Sequence, residues 1–259
     1  MTVLLSRPTS SKQRVNSQVA EMAGTAKQAY VRRMFARISA RYDLLNSVLT
    51  LGQDRRWRRM AVSLLGSASR GRILDVGTGT GELALEAARH GRQVVGVDFS
   101  PQMLSLGRAK VKAQGWEEAV QLVLGDALVL PFRDESFAGS ITGFALRNVT
   151  SVEQLLAEIW RVVKPGGRLV CLELTRPRTT WWGRVSKWYF DHVIPILGRM
   201  LSGDREAYDY LPRSLAQFPA SADLAQEMQR VGWRQVCYHS VGAGLVALHA
   251  GVKEGSWLD

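Results

Sequence analysis

The spacing of apolar side chains changes character near residue 71. Over residues 29–65, Met34, Phe35, Ile38, Tyr42, Leu45, Val48 and Leu49 recur three or four positions apart, the period of helices that bury one side. This stretch predicts helices placed ahead of a sheet and covering part of it. From Gly71 onward, short apolar runs alternate with helical segments: 72–76, 82–89, 93–98 and 101–113 read as strand, helix, strand, helix. Strands at 120–124 and 137–142, a helix at 152–162 and a strand at 168–173 continue the series. Such alternation predicts a parallel sheet with helices on both faces and right-handed crossovers. A helix at 222–230 then leads into strands at 235–240 and 245–250, whose connection, 241–244, is short enough for a hairpin. The expected fold is α/β: a Rossmann-like, seven-stranded, mostly parallel sheet with a C-terminal antiparallel hairpin and N-terminal helices.

Length and composition add boundaries. A chain of 259 residues, 46% hydrophobic, supports one packed core, so residues 27–259 are expected to form a single domain. Residues 1–26 are rich in Ser, Thr and Gln without sustained periodicity and read as a flexible basic tail. Residues 177–218 form an aromatic insertion without strand signals. No apolar run approaches the roughly 20 residues of a membrane-spanning helix, and the patch Val3 to Leu5 is too short for a secretory signal. A cytoplasmic chain is expected. Cys171 and Cys237 lie in apolar runs; they are too few for a disulfide framework or a cysteine-ligated zinc site, and both read as buried structural thiols.

The net charge of +11 is uneven, because residues 1–60 hold twelve Lys and Arg against Glu21, Asp43 and Asp54. Such a segment suits nucleic acid, an anionic membrane surface, or plain solvation.

The sharpest chemical signal is Ile73-Leu74-Asp75-Val76-Gly77-Thr78-Gly79-Thr80-Gly81, a strand entering a glycine-rich turn before a helix. Glycines let backbone approach a ligand closely. The next strand ends in Asp98, 17 residues past Gly81, where a carboxylate can accept both hydroxyls of an adenosine ribose. A dinucleotide enzyme shares this layout, but its third fingerprint glycine or alanine would fall on Glu82. The observed order Asp75, Gly77, Gly79, Gly81 resembles motif I of the class I methyltransferases. Gly125-Asp126-Ala127, before Leu130-Pro131-Phe132, resembles the stretch that holds the adenine there, with Asp126 accepting from the exocyclic amine. The bland reading of Asp126 is a turn residue. Lys164-Pro165-Gly166-Gly167 reads as a structural turn entering the next strand.

Four further stretches, MFARISARYDLLN (34–46), FALRNVT (144–150), VKPGGRLVCLE (163–173) and GAGLVALH (242–249), resemble the UbiE/MenG ubiquinone and menaquinone biosynthesis methyltransferases. The resemblance runs from about residue 30 to residue 252. It implies C-methylation of a polyprenyl quinol ring, of demethylmenaquinol in the first place and of a ubiquinol precursor as the alternative. S-adenosylmethionine is the implied methyl donor and S-adenosylhomocysteine the product. Thr80, Asp98, Asp126 and Ala127 are implied contacts of the donor, with Tyr42 over its methionine end. Gly143 stands where some relatives carry Ser, so only backbone serves at that position.

For the ring, Arg147 and Asn148 are expected at the end of the fourth strand, where this fold puts its chemistry. Arg147 stays protonated and so would stabilise phenolate charge or order a water; Asn148 would orient that network. His192 is an alternative base and Tyr208 a further one, although an isolated His on an apolar helix is commonly a packed side chain. No metal is expected. Trp181, Trp182, Trp188, Tyr189 and Phe190 beside Arg176, Arg178 and Arg184 suit an interfacial lid, the inner face of an ordinary helix, or the contact of a homodimer. A nucleic-acid methyltransferase is disfavoured, because no cysteine follows a proline and no Asn/Asp-Pro-Pro-aromatic tetrad is present. A noncatalytic scaffold that binds the donor is the remaining alternative.

Overall fold

The computed structural model describes residues 26–66, 71–175, 210 and 214–255. Helices α1 (26–38), α2 (Tyr42–Leu49) and α3 (Gln53–Leu64) precede β1 (Ile73–Val76). There follow α4 (Glu82–Arg89), β2 (Val94–Asp98), α5 (Pro101–Ala113), β3 (Val120–Leu124), β4 (Phe137–Gly143), α6 (Val152–Val162) and β5 (Val163–Leu174). Helix α7 (Ser221–Val231), β6 (Arg234–Val241) and β7 (Val246–Val252) complete the order. The seven strands form one sheet in the order β3-β2-β1-β4-β5-β7-β6. Strands β1 to β5 are parallel, and β7 runs antiparallel to both β5 and β6. The expected mostly parallel sheet with a C-terminal antiparallel pair is therefore present.

Central strands β1 and β2 are buried along their whole length, which is why they read as mainly apolar runs, interrupted by Asp75 and closed by Asp98, and not as alternation. Successive residues still enter opposite layers. Ile73, Val94 and Ile141 join Trp57, Leu85 and Leu104 on one face; Leu74, Val95 and Val97 join Leu155, Ile159 and Trp233 on the other. Helices α5 and α6 begin where the sequence predicts because each has an N-terminal cap. Ser100 Oγ accepts from Met103 N with Pro101 just after it, and Ser151 Oγ accepts from Gln154 N at 3.1 Å.

Two expectations are corrected. Strand β5 starts at Val163, ahead of the predicted 168: Val163 pairs with Phe137, and the ladder resumes at Arg168 opposite Gly139 after an irregularity. The Lys164–Gly167 turn is folded into the strand because Gly166 N donates to Lys253 O and Gly167 O accepts from Lys253 N. Cys171 is a buried thiol, as expected, but Cys237 is exposed, because β6 is the edge strand and most of its side chains face outward. Of the tail expected at 1–26, only Ala26, already helical, is described; of the insertion expected at 177–218, only Tyr210 and residues 214–218 are. Among the described residues no helix is long and apolar enough to cross a membrane.

The N-terminal helices lie over the carboxyl ends of the strands. Met34, Ile38 and Leu45 pack with Leu215, flanked by Tyr30, Phe35, Tyr42 and Tyr210. Lys27 Nζ donates to Val149 O at 2.7 Å, and Gln28 Nε2 to Asp126 Oδ2 at 2.7 Å. Beneath them β1 lies between β2 and β4, so the chain changes direction across the sheet at this point, where ligands bind in open α/β folds.

Candidate active site

After Val76 the chain turns through Gly77, Gly79 and Gly81, with φ of 69°, 56° and 80°, angles that side chains with a Cβ rarely adopt. Gly77 is doubly constrained, since a Cβ there would stand 2.4 Å from the Cβ of Ala145. Asp75, fully buried, accepts from Thr78 Oγ1 at 2.7 Å through Oδ2, while its Oδ1 accepts no hydrogen bond. Burial pushes its pKa up to about 7, opposed by the Thr78 bond and assisted by the charge of Asp98. Asp98 closes β2 and receives Gly79 N–H at 2.8 Å on Oδ2 and Ser100 N–H at 2.9 Å on Oδ1. Its pKa is raised by burial and held back by these backbone donors.

Three cavities meet over these strand ends. The first, of about 830 Å³, reaches from Asp98, Met103, Asp126 and Ala127 to Gly143 and Asn148. A second, of about 430 Å³, is polar and holds Asp75, Thr80, Asp43, Arg58 and Glu82. The third, of about 470 Å³, is lined by Met34, Ile38, Leu45 and Leu49 with Arg147, Asn148 and Tyr210. Tyr42 borders all three. Gly77, Gly79, Gly143 and Phe144 are shared by the first two. A Cβ at Gly143 would lie 3.1 Å from Leu83 Cδ2, so a serine at this position would need that leucine to shift.

The second cavity is bounded by a charged network that ties α2 to the glycine turn. Thr80 Oγ1 donates to Asp43 Oδ1 at 2.6 Å, and Lys110 Nζ bridges Asp43 at 2.5 Å and Glu82 at 2.7 Å. Lys110 and Arg58 hold the Glu82 carboxyl below its usual range, although burial opposes them as the largest single influence. Arg58 pairs with Asp54 at 2.8 Å and lies 3.7 Å from Glu82.

Arg147 and Asn148 are one turn beyond the strand end expected for them. Strand β4 stops at Gly143, Phe144 turns the chain at φ 58°, and residues 146–148 form a short 3-10 helix. Arg147 Nη1 donates to Phe144 O at 3.0 Å and to the Glu173 carboxylate, which is 1% exposed. Asn148 Nδ2 donates to the same carbonyl at 3.0 Å, and Asn148 Oδ1 accepts from the Tyr210 hydroxyl at 3.3 Å. Burial raises the Tyr210 pKa, with Arg147 opposing; burial also raises that of Tyr42. His192 and Tyr208 lie outside the described residues.

Sequence reasoning passed over Glu173, Tyr210 and Gln28. Glu173 had a usable signal, a carboxylate inside an apolar strand, which requires a partner when buried. Gln28 and Tyr210 had none.

The family model described as the ubiE/COQ5 methyltransferase family matches residues 23–253. The demethylmenaquinone methyltransferase of Roseiflexus castenholzii is 47% identical over 88% of this chain and 95% of its own length. That of Deinococcus radiodurans is 45% identical, covering 86% and 92%. The ubiquinone/menaquinone biosynthesis C-methyltransferase UbiE of Geobacter sulfurreducens is 40% identical, covering 88% and 90%. Among solved structures, the [4+2]-cyclase SpnF aligns with TM-score 0.67 at 18% identity over 89% of this chain and 97% of its own. A Thermotoga maritima methyltransferase described as a possible histamine N-methyltransferase aligns with TM-score 0.61 at 21% identity, covering 86% and 100%. These two share the fold, and their differing chemistries leave the reaction to the sequence relatives. With the family model spanning 23–253 and such relatives along the same stretch, the chain belongs to the ubiE/COQ5 methyltransferase family and is an S-adenosylmethionine-dependent methyltransferase.

Proposed function

We propose that this enzyme methylates a ring carbon of a polyprenyl quinol, demethylmenaquinol in the first place and a ubiquinol precursor as the second reading. The observation that carries the proposal is the third cavity, apolar along α1 and α2 yet lined also by Arg147, Asn148 and Tyr210, and joined to the first through Asn148 and Tyr42. The names of the relatives support the same substrate class.

The first two cavities suit the donor. Asp98 would accept from the ribose hydroxyls, Asp126 from the adenine amine with Ala127 beside it, and Gly77, Gly79 and Gly81 leave room for close backbone approach. Asp75, with one buried oxygen free of any hydrogen bond, and Thr80 lie on the side of the methionine group, beneath Tyr42. Gly143 meets the donor through backbone alone. Bound there, S-adenosylmethionine supplies a methyl group on positively charged sulfur, an electrophile that needs an aligned nucleophile.

The protein's part is alignment and charge. A hydroquinone carbon becomes nucleophilic when a neighbouring hydroxyl loses its proton, and Arg147, kept in place by Glu173, stabilises the phenolate oxygen or the water that takes the proton. Asn148 and Tyr210 fix the orientation of that group, and the apolar wall of α1 and α2 excludes bulk water. His192 and Tyr208 remain the other proton acceptors in this reading. A substrate with a polyprenyl tail also requires peripheral contact with the inner face of a membrane.

Purified enzyme incubated with methyl-labelled S-adenosylmethionine and reduced demethylmenaquinol in detergent tests the reading, beside a methoxybenzoquinol lacking the ring methyl and bulk RNA. Label in the naphthoquinol above the benzoquinol is expected, and the opposite ratio selects the second reading. Label in RNA alone, or nowhere, overturns both.

A further inference from the structure

The turn between α2 and α3 presents a leucine in an unfavourable way. Leu51 is 76% exposed and sits at φ 52°, in the left-handed region that favours Gly or Asn. Single exposed leucines are ordinary, but this one follows another. Leu44 is 57% exposed; Leu44 and Val48, four apart, share one side of α2, and Leu51 follows two residues after that helix ends, in the turn to α3. Tyr42, Leu45, Asn46 and Leu49, on the other side of that helix, line the third cavity. One helix diameter, roughly 10 Å, separates the side of Leu44 and Val48 from the proposed ring site.

Basic side chains follow on α3. One helical turn after Leu51 come Arg55 and Arg56, then Arg59, all exposed on the side of α3 opposite its buried Trp57, Arg58, Ala61 and Val62. No ion pair joins these three to a carboxylate among the described residues. The only two acids of residues 26–66 are turned inward, Asp43 to Thr80 and Lys110, Asp54 to Arg58. Exposed leucines followed within eight positions by exposed arginines that pair with no carboxylate among the described residues match the boundary between acyl chains and anionic headgroups.

We infer that the α2–α3 corner docks this enzyme on an anionic lipid bilayer, with Leu44, Val48 and Leu51 entering the acyl boundary and Arg55, Arg56 and Arg59 on the lipid phosphates. The inference rests on the quinol reading, which supplies the reason for a membrane-held substrate. It places the contact away from the aromatic insertion, for which the sequence left an interfacial lid as one of several readings. The third cavity then opens beside the leaflet that holds the polyprenyl tail.

The test is co-sedimentation of the full chain with phosphatidylcholine vesicles, with and without phosphatidylglycerol, and with bulk RNA as competitor. The unmodified enzyme is expected to sediment with the anionic vesicles and to be released by salt. The pair Leu44→Gln/Leu51→Asn should lower partition about tenfold, Asn being at ease at positive φ. The triple Arg55→Gln/Arg56→Gln/Arg59→Gln should lower it about a hundredfold. Both variants should bind S-adenosylhomocysteine and methylate a short-tailed quinol in detergent as the unmodified enzyme does, which separates lost docking from lost folding. Sedimentation of both variants at the unmodified level overturns the inference, as does equal binding to neutral vesicles or displacement by RNA at low concentration. If the variants lose vesicles as expected while no quinol is ever methylated, the quinol reading fails and the docking surface stands.

Discussion

Arg147 and Glu173 form a buried ion pair at the carboxyl end of the sheet, the carboxylate receiving both the guanidinium Nη1 and, at 3.4 Å, the backbone N–H of Arg147. Leu174 N–H donates to the same carboxylate at 2.8 Å. The pair anchors the arginine, which lines the third cavity while Glu173 does not. Removing one member of such a pair costs about 3–5 kcal/mol, because the other charge is left buried. Glu173→Gln should therefore unfold at clearly lower temperature and lose kcat, while its affinity for S-adenosylhomocysteine stays within about twofold, since neither residue lines the second cavity. Calorimetry beside steady-state kinetics checks this; a cofactor affinity that falls as far as kcat would mean a general collapse of the site.

Asp98 is expected to be the strongest single contact of the donor. Asp98→Asn replaces one charged acceptor by an amide, and charge-assisted bonds contribute about 1.5–3 kcal/mol each. Affinity for S-adenosylmethionine should fall roughly 10- to 100-fold, read by titration calorimetry. An unchanged affinity would remove Asp98 from the ribose site.

The elements of this fold were legible because apolar period and capping chemistry agree at each boundary, as at Ser100-Pro101 and Ser151. What escaped depends on pairing between distant segments. Gly143 lies opposite Leu172 across parallel β4 and β5, which sets Arg147 beside Glu173, 26 positions later; strand register is not written in either segment alone. The bond from Gln28 to Asp126 spans 98 positions and follows from how α1 crosses the sheet. Cys237 misled because an apolar run says nothing of whether its strand is at the edge. The glycine turn was readable for the opposite reason: Asp75, the glycines and Thr80 are contiguous, and their geometry is local.

Gly77 offers a test of that local geometry. Gly77→Ala places a methyl 2.4 Å from Ala145 Cβ at a φ of 69°, and a nonglycine residue held in that region costs about 1–3 kcal/mol before any clash. Lower stability and weaker S-adenosylhomocysteine binding are expected together. Adding Ala145→Gly should restore part of both by removing the clash, leaving the backbone term. A double variant no better than the single one would show that crowding against Ala145 is not the constraint.

Asp75 carries a pH signature. Its pKa rises from 3.8 to about 7 on folding, so between those values the folded state binds more protons than the unfolded one. Stability then falls as pH rises from about 4 to about 7 and levels off above, by up to about 4 kcal/mol. Asp75→Asn lacks this term. Urea unfolding across that window should show the variant gaining on the unmodified protein up to about pH 7, while its affinity for S-adenosylmethionine drops. A stability difference that is flat with pH would mean that Asp75 is ionised in the fold as readily as in water.

Tyr210 separates two roles for a phenol in the ring site. Burial raises its pKa above the usual 10, so near neutrality it is protonated and donates to Asn148 Oδ1 at 3.3 Å. As an orienting donor it contributes about 0.5–1.5 kcal/mol, and Tyr210→Phe should lower kcat roughly 2- to 10-fold, by the same factor from about pH 6 to 9. KM for S-adenosylmethionine should hold, because Tyr210 lines neither of the first two cavities. Were Tyr210 the proton acceptor, the variant would instead lose the rise of rate with pH and fall by far more than tenfold. The pH–rate profile of the single variant therefore decides between positioning and proton transfer: a profile parallel to that of the unmodified enzyme leaves Tyr210 as an orienting donor and the proton to another acceptor, and one stripped of its slope places it on Tyr210.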